Sequence, residues 1–271
     1  MPSFTTSMLA LLAAALPVAL ADSAGCGQTA PTSGTYTMTV NGQEREYILT
    51  VPSGYDASTP YKLIFGYHWL DGSMDDVATD YYGLQDLAAD TAIFVAPNGL
   101  DAGWANTDGQ DVTFTDMMLD EILGSMCVDE EQIFALGWSY GGSMTFSMAC
   151  SRPDVFRAVA VLSGAELSGC DGGTTPVPYL GIHGVADSVL PIDLGRTLRD
   201  QFLSMNGCAS QTAEEPESGS GTHIKTEYAC SDGYPVWWIA HSGDHTPSPQ
   251  DADGTYWAPN EMWSFFTEAV A

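Results

Sequence analysis

Residues 133–149, IFALGWSYGGSMTFSMA, constrain the fold of this chain more than any other stretch. The first four residues are apolar and partly β-branched or aromatic, which is typical of a buried strand. A G-x-S-x-G sequence centred on Ser139 follows, and residues 143–149 have the composition of a helix start. A serine on a sharp turn between a strand and a helix is the arrangement of a nucleophile elbow. The alternative is a Gly-Ser loop with no catalytic role. A general base and an orienting acid elsewhere in the chain are needed to distinguish a nucleophile from such a loop.

The two glycines of this motif fit the crowding of such a turn. The residues two before and two after the serine approach each other closely, and a Cβ at Gly137 or Gly141 would collide there. The turn also directs the Tyr140 N–H toward the reaction centre and leaves Ser139 at a helix N-terminus, where negative charge is favoured. We therefore predict Ser139 as a nucleophile and the Tyr140 N–H as an oxyanion donor.

Alternating strands and helices surround this stretch. Asn41-Gly42 between two alternating runs predicts a hairpin near the N-terminus. The pattern predicts an α/β fold, with a mostly parallel sheet covered by helices on both faces. Strands are predicted at residues 36–40, 46–51, 61–68, 92–96, 133–136, 157–162, 177–183, 224–229 and 235–241. Helices are predicted at residues 75–89 (N-cap Asp75 or Asp76), 111–126 (N-cap Asp111), 143–149, 192–205 and 259–269.

The N-terminus has the pattern of a secretory signal peptide. Residues 8–20 are an apolar run interrupted only by Pro17, and Ala19-Leu20-Ala21 fits a cleavage site, although no Lys or Arg precedes the run. The run is too short to span a bilayer comfortably. We therefore expect residues 1–21 to be a signal peptide of a secreted protein, and residues 22–271 to form a single catalytic domain.

The six cysteines all follow this segment, and an even count in a secreted chain predicts disulfides. None lies in a C-x-x-C pair, so we expect no zinc site and no other metal. The predicted positions of strands and helices bring four of the cysteines to one edge of the sheet in two pairs. The expected disulfides are Cys127–Cys150, Cys208–Cys230 and, by elimination, Cys26–Cys170.

The chain is strongly acidic, with a formal net charge of −28 and only seven Lys plus Arg. Such a surface repels nucleic acid, anionic membranes and anionic polymers such as pectin. We therefore expect neither nucleic acid nor a membrane as a partner of this protein.

An acid and a base follow two later predicted strands. Ligands of such sheets bind at the carboxyl ends of the strands, and the expected chain order is Ser, Asp, His. Asp187 follows the strand at residues 177–183, and His245 follows the strand at residues 235–241. We predict that His245 takes the Ser139 proton and returns it to the leaving alkoxide, while Asp187 orients the imidazole.

Other residues compete for these roles. Among the histidines, we interpret His183 and His241 as hydrogen-bonded structural residues of strands, and His223 as a neighbour of the polar loop at residues 209–221. Asp171 and Asp193 are the alternatives to Asp187.

The second oxyanion donor should come from the loop after the strand at residues 61–68. We expect the backbone N–H of Trp69 or of Leu70 in this role. His68 precedes Ser139, against the usual order for the base, and we interpret it as a residue that packs the loop.

Five short motifs together resemble one known family. They are GYHW at residues 66–69, GWAN at 103–106, GWSYGG at 137–142, HGVAD at 183–187 and GDHTP at 243–247. In combination they resemble secreted fungal feruloyl esterases of the type C group, which are similar to carbohydrate esterase family 1 and polyhydroxybutyrate-depolymerase-like hydrolases. The resemblance covers about residues 26–270. One departure is Val185, where a small polar residue is expected.

This resemblance implies an α/β-hydrolase fold with Ser139, Asp187 and His245 as the triad. It also implies release of ferulic and related hydroxycinnamic acids from feruloylated, arabinoxylan-type polysaccharide of plant cell walls, with no metal and no cofactor. Four aromatic residues lie on loops near the predicted site, and aromatic walls suit a planar phenolic acid. We predict that these four contact substrate: Trp69, Trp104, Trp138 and Tyr140. Packing in the core is the alternative for Trp138.

Four other functions remain compatible with these residues. An acetyl xylan esterase or a short-chain polyester depolymerase would use the same triad with a smaller acyl pocket. A peptidase would share the triad as well. An inactive wall-binding protein on a hydrolase scaffold would not need a complete Ser, Asp, His order.

Overall fold

The computed structural model of the protein describes residues 22–270, and the predicted signal peptide at residues 1–21 lies outside them. The strands are β1 (Gly34–Val40), β2 (Gln43–Thr50), β3 (Tyr61–Tyr67), β4 (Ala92–Pro97), β5 (Val128–Trp138), β6 (Ala158–Leu162), β7 (Tyr179–Gly184), β8 (His223–Tyr228) and β9 (Val236–His241). Within the described range these nine strands form one sheet in the order β1-β2-β4-β3-β5-β6-β7-β9-β8.

The centre of the sheet is parallel and its two edges are antiparallel. Neighbouring strands from β4 through β3, β5, β6 and β7 to β9 pair in parallel. β1 and β2 form the predicted antiparallel hairpin, and its turn residues Asn41 and Gly42 have φ of 51° and 83°. β8 pairs antiparallel with β9. The carboxyl ends of six parallel strands therefore meet at one edge, where the predicted site residues follow β3, β5, β7 and β9.

Helices cover both faces of the sheet. They are α1 (Met74–Val77), α2 (Leu84–Ala88), α3 (Gln110–Ser125), α4 (Tyr140–Ser151), α5 (Ile192–Met205) and α6 (Ala258–Ser264), the last continued by a π-helical turn over Phe265–Ala269. None of the helices between residues 22 and 270 is both long and apolar enough to span a membrane. Alternate residues of β3 divide between two buried clusters, with Leu63 and Phe65 in one and Ile64 in the other. One cluster lies under α3, α4 and α5 and the other under α1, α2 and α6, so the predicted fold class is confirmed.

Two helix starts differ from the prediction. The helix expected at residues 75–89 is two short helices, because Tyr81 and Tyr82 between them have φ of 50° and 58°. Hydrogen bonds of these tyrosines to neighbouring strands hold this break, and the N-cap is Ser73 in a capping box with Asp76. Asp111 does not cap α3, because the helix begins one residue earlier with Gly109 as its N-cap, and the Asp111 carboxylate pairs with the guanidinium of Arg45.

Two of the three expected disulfides are wrong. Cys208–Cys230 is present, but the other pairs are Cys26–Cys127 and Cys150–Cys170 instead of Cys127–Cys150 and Cys26–Cys170. The N-terminal segment lies against the start of β5, where the Ser23 N–H donates to the Val128 carbonyl, so Cys26 meets Cys127. The connection from β6 to β7 returns along α4 and brings Cys170 to the end of that helix.

Candidate active site

Ser139 sits on a sharp turn between β5 and α4. Its backbone has φ 59° and ψ −121°, a conformation that a residue with a side chain rarely adopts, and its N–H donates to the Leu162 carbonyl at 2.9 Å. A Cβ on Gly137 would collide with the backbone of Gly141, and a Cβ on Gly141 would collide with the Tyr67 carbonyl. The predicted crowding at both glycines is confirmed, and the turn exposes the Ser139 hydroxyl at the carboxyl edge of the sheet.

The structure brings Ser139, His245 and Asp187 together in one chain of hydrogen bonds. His245 Nε2 lies 2.9 Å from Ser139 Oγ, and His245 Nδ1 lies 2.7 Å from Asp187 Oδ2. Because a carboxylate accepts from Nδ1–H, the neutral imidazole presents an unprotonated Nε2 to the serine hydroxyl. The side chains of His245 and Asp187 are only 8% and 0% exposed, so packing fixes both.

Four donors surround the Asp187 carboxylate. Oδ1 accepts the N–H groups of Val189 at 3.0 Å and Leu190 at 2.7 Å. Oδ2 lies between His245 and His183, whose Nε2 is 3.3 Å away. Burial raises the pKa of Asp187, but hydrogen bonds from the two histidines and the two N–H groups outweigh burial and hold this pKa far below its usual value. Asp187 is therefore ionised and held in one orientation beside the imidazole.

Asp244 links the loops that carry Asp187 and His245. Its Oδ1 accepts the N–H of Ser188 at 2.7 Å and the N–H of His245 at 2.7 Å. These hydrogen bonds lower the pKa of Asp244, and the bond from the Ser188 N–H has the largest effect. Sequence reasoning missed this residue, although its place directly before His245 in the GDHTP motif is a signal that could have identified it.

His183 and His241 are buried, as expected of structural histidines. His183 Nε2–H donates to the Leu190 carbonyl at 2.8 Å, besides its contact with Asp187. His241 Nδ1 accepts the Gly243 N–H at 3.2 Å, and burial, with a smaller contribution from nearby His183, lowers the pKa of His241 to about 4. Neither imidazole takes the place of His245 at the serine hydroxyl.

His223 and the two alternative acids also lie apart from the hydroxyl of Ser139. His223 Nδ1 bonds to Asp251 at 2.9 Å, and its ring stacks on Trp257 at a centroid distance of 4.0 Å. Asp193 pairs with Arg196 in the first turn of α5. Asp171 follows Cys170 in the connection beside the end of α4.

His68 and Trp104 hold the loop that follows β3. His68 Nδ1–H donates to the Trp69 carbonyl at 2.7 Å, and His68 Nε2 accepts the Gly99 N–H at 2.9 Å. Trp104 Nε1–H donates to the His68 carbonyl at 2.6 Å. Since Trp104 is 0% exposed, the prediction that it contacts substrate is wrong, and its role is to position this loop. The interpretation of His68 as a packing residue agrees with its burial.

The loop that carries two of the expected oxyanion donors adjoins the turn that carries the third. Gly141, in the first turn of α4, packs against the carbonyl ends of Tyr67 and His68, so the loop with Trp69 and Leu70 adjoins the Ser139 turn. Within residues 22–270 the N–H groups of Tyr140, Trp69 and Leu70 have no backbone acceptor. Unpaired N–H groups next to a nucleophile can stabilise a developing negative charge.

The other three predicted aromatic residues border the site. The Trp138 ring lies 4.7 Å from the His245 ring and 5.4 Å from the Trp69 ring, measured between centroids. Tyr140 lies on the other side of Ser139. All three side chains are partly exposed, in contrast to Trp104.

A buried ion pair that sequence reasoning missed anchors the loop with Trp104. Arg45 Nη2 lies 2.8 Å from Asp111 Oδ1, and both side chains are 1% exposed. Asp111 Oδ2 accepts the Asn106 N–H at 2.9 Å, and Asn106 Nδ2 donates to the Ser168 carbonyl at 2.9 Å. Burial raises the pKa of Asp111, while the charge of Arg45 opposes this shift. The network ties the β1–β2 hairpin to the loops beside the site.

Comparison with known proteins places this site in a family. The family model of the prolyl oligopeptidase family matches residues 101–166, which include the Ser139 turn. The probable feruloyl esterase C of Aspergillus terreus is 47% identical, covering 95% of this chain and 96% of that protein. Feruloyl esterase C of Emericella nidulans is 48% identical, covering 93% and 94%.

Solved structures share the fold at low identity. A CE1 ferulic acid esterase from Anaeromyces mucronatus in complex with ferulic acid aligns with a TM-score of 0.55 and 16% identity, covering 81% of this chain and 86% of that chain. An acetyl xylan esterase from Aspergillus awamori aligns with a TM-score of 0.58 and 17% identity, covering 86% and 100%. The α/β-hydrolase fold and the resemblance carried by the five motifs are thus confirmed. By its identity to near-full-length relatives, this chain belongs to the feruloyl esterase C family of serine carboxylic-ester hydrolases.

Proposed function

We propose that this protein hydrolyses the ester bonds between hydroxycinnamic acids, such as ferulate and p-coumarate, and the sugars of plant cell-wall polysaccharide. The observation that carries the proposal is the chain of hydrogen bonds from Ser139 Oγ through His245 to Asp187, on a turn that exposes the hydroxyl. The names of the feruloyl esterase C relatives support a feruloyl group as the acyl part of the ester. No metal or cofactor takes part in the proposed reaction.

In the first half-reaction, Ser139 Oγ attacks the ester carbonyl carbon while its proton moves to His245 Nε2. The carbonyl electron pair moves onto oxygen, and the N–H groups of Tyr140 and of Trp69 or Leu70 stabilise this oxyanion. When the C=O bond re-forms, the bond to the sugar oxygen breaks. The proton on Nε2 goes to that oxygen, which leaves a feruloyl ester on Ser139 and a free sugar hydroxyl.

In the second half-reaction, water takes the place of the sugar. His245 removes a proton from the water, whose oxygen attacks the acyl-enzyme carbonyl carbon. The second tetrahedral oxyanion collapses, the bond to Ser139 Oγ breaks, and the proton returns to that oxygen. Ionised Asp187 stabilises the imidazolium that forms in both halves, which is why its low pKa matters for the proposed role.

The setting of this activity is proposed to be extracellular. Residues 1–21 would serve as the signal peptide and residues 22–271 as a single catalytic domain. Three disulfides within the described residues support an oxidising compartment. A net charge of −28 favours departure of the anionic product ferulate, and disfavours nucleic acid and anionic membranes as partners.

The test is hydrolysis of methyl ferulate, methyl sinapate and α-naphthyl acetate by the wild type and by Ser139→Ala. We expect the wild type to prefer the hydroxycinnamates strongly and the variant to lose activity on all three esters. A variant that keeps its activity would remove Ser139 from the mechanism. A wild type that cleaves only the acetate would keep the triad but replace the proposed substrate by an acetyl ester.

A further inference from the structure

Ser139 lies on the boundary between two different surfaces. Trp138, before it, packs against the cluster under α1, α2 and α6, whereas Tyr140, after it, packs against the cluster under α3, α4 and α5. The consecutive residues Trp69 and Leu70 divide in the same way, since Trp69 packs with Trp138 and Leu70 lines a cleft with Tyr140. A substrate carbonyl above Ser139 therefore has a separate surface on each side.

The first surface, named here the Tyr140 cleft, has a volume of about 400 Å³ and is lined by Gln43, Leu70, Asp101, Gly103, Gln110 and Tyr140, among others. Its volume is within the range of roughly 300–1,000 Å³ that small-molecule pockets occupy. Leu70 is 56% exposed, so its side chain is accessible to a ligand in this cleft. A Cβ on Gly103 would lie 3.0 Å from Tyr140 Cε1 and 3.5 Å from Leu70 Cδ1, so the absence of a side chain at Gly103 lets both apolar side chains pack closely beside it.

The second surface, named here the Trp69 cleft, has a volume of about 160 Å³ and is lined by Trp69, Asp76, Thr79, Asp80, Pro247 and Tyr256, among others. Aromatic rings can pack against the C–H face of a sugar, and carboxylates accept hydrogen bonds from its hydroxyls. Pro247 follows His245 by two residues, so this cleft opens on the imidazole side of Ser139.

The position of His245 decides which half of an ester lies on which side. In the proposed reaction Nε2 must reach the oxygen of the leaving alcohol, so the alcohol lies on the side of the imidazole. The His245 ring contacts the Trp138 ring at 4.7 Å, which places the imidazole on the side of the Trp69 cleft. With the carbonyl oxygen directed at the unpaired N–H groups, the acyl group must extend the other way, past Tyr140.

We propose that the Tyr140 cleft binds the planar hydroxycinnamoyl group and that the Trp69 cleft binds the sugar. This assignment rests on the proposed function and adds which residues select each half of the substrate. The apolar side chains of Leu70 and Tyr140 contact the phenyl ring, and the amides of Gln43 and Gln110 lie near its phenolic substituents. Asp80 and Trp69 contact the sugar.

The test uses two pairs of substrates, each of which varies one half of the ester. 4-Nitrophenyl ferulate and 4-nitrophenyl acetate share an alcohol, while the feruloyl ester of arabinose and methyl ferulate share an acyl group. Gly103→Val adds side-chain atoms against Tyr140 and Leu70, which must shift into the Tyr140 cleft, and should lower the ferulate-to-acetate ratio of kcat/KM at least about tenfold, as extra methyl groups in a substrate pocket do. Thr79→Phe fills the Trp69 cleft and should lower the arabinose-to-methyl ratio by a similar factor. Each variant is the control for the other, because each should change one ratio only.

Folding of both variants is checked by thermal unfolding. If Gly103→Val does not fold, Leu100→Ala tests the same cleft, since losing an apolar wall should also lower the ferulate-to-acetate ratio. Reversed effects, or folded variants with both ratios unchanged, would overturn the assignment while the proposed function stands. A wild type that does not hydrolyse 4-nitrophenyl ferulate would overturn the proposed function itself, and the assignment with it.

Discussion

Trp104 gives the most detailed prediction, because one buried hydrogen bond connects it to the loop beside Ser139. Its Nε1–H donates to the His68 carbonyl at 2.6 Å, and its ring packs edge-on against Tyr67 at a centroid distance of 5.2 Å. Trp104→Phe keeps most of the apolar ring but removes the donor. The His68 carbonyl is then buried without a partner, or the loop must move to expose it to water.

The structure sets the expected magnitude of this change. A buried carbonyl that loses its partner costs about 1–3 kcal/mol, so the free energy of unfolding should fall by that amount. Movement of the loop displaces the N–H groups of Trp69 and Leu70. Loss of one oxyanion donor costs roughly 10²–10³ in kcat, which is the upper limit here. We therefore expect kcat to fall by about tenfold to hundredfold for ferulate and acetate esters alike, because the oxyanion is common to both.

The assay combines urea unfolding with kinetics on methyl ferulate and 4-nitrophenyl acetate. Trp257→Phe is the matched control, since Trp257 is also buried but its Nε1 has no hydrogen-bond partner within residues 22–270. The control should lose ring contacts without a comparable fall in kcat. A Trp104→Phe variant with a raised KM for ferulate alone and normal turnover of acetate would refute the positioning role and restore a direct contact with substrate.

Two further predictions concern buried charge. The pKa of His241 is lowered to about 4 in the folded protein, so as pH falls the imidazole is protonated in the unfolded chain before it is protonated in the folded one. The free energy of unfolding should therefore decrease as pH falls from about 6.5 to about 4, by up to about 1.4 kcal/mol per pH unit. His241→Gln should flatten the pH dependence of urea unfolding in this window, and identical slopes in both proteins would contradict the burial argument. Arg45→Ala leaves Asp111 buried without its partner and should destabilise the protein by about 3–5 kcal/mol. Arg152→Ala, which removes a partly exposed pair, should cost less than about 1 kcal/mol in the same urea assay, and equal losses would show that burial of the pair is not what matters.

The parts of the fold that depend on local geometry could be predicted from the sequence. Asn41-Gly42 determines a hairpin turn by itself, because both residues tolerate the positive φ that the turn needs. The Ser139 turn is likewise local, since its glycines remove the atoms that would collide. Asp187 and His245 could be predicted to meet Ser139 because the carboxyl ends of parallel strands share one edge.

The parts that depend on the route of long connections could not be predicted in this way. Pairing of Cys150 with Cys170 follows from the return of residues 163–178 along α4, and that stretch has no periodicity that reveals its path. The break between α1 and α2 depends on tertiary hydrogen bonds of Tyr81 and Tyr82, which outweigh local helix propensity.

The alternation of residues along β2 contains a signal for the buried ion pair between Arg45 and Asp111. Arg45, Tyr47 and Leu49 alternate along β2 and share its buried face. A basic residue at an inward position of a strand requires a buried acid, and Asp111 at the start of α3 meets that requirement. The same period of two that predicted the hairpin could therefore have predicted this anchor.

Covalent labelling with a fluorophosphonate, followed by peptide mass spectrometry and methyl ferulate kinetics on the same sample, tests the central claim most directly. The account predicts one phosphonyl group per chain, on Ser139, and loss of methyl ferulate hydrolysis in proportion to the fraction labelled. Hydrolysis that persists in fully labelled protein, or a label on another residue that accompanies the loss of activity, would contradict it.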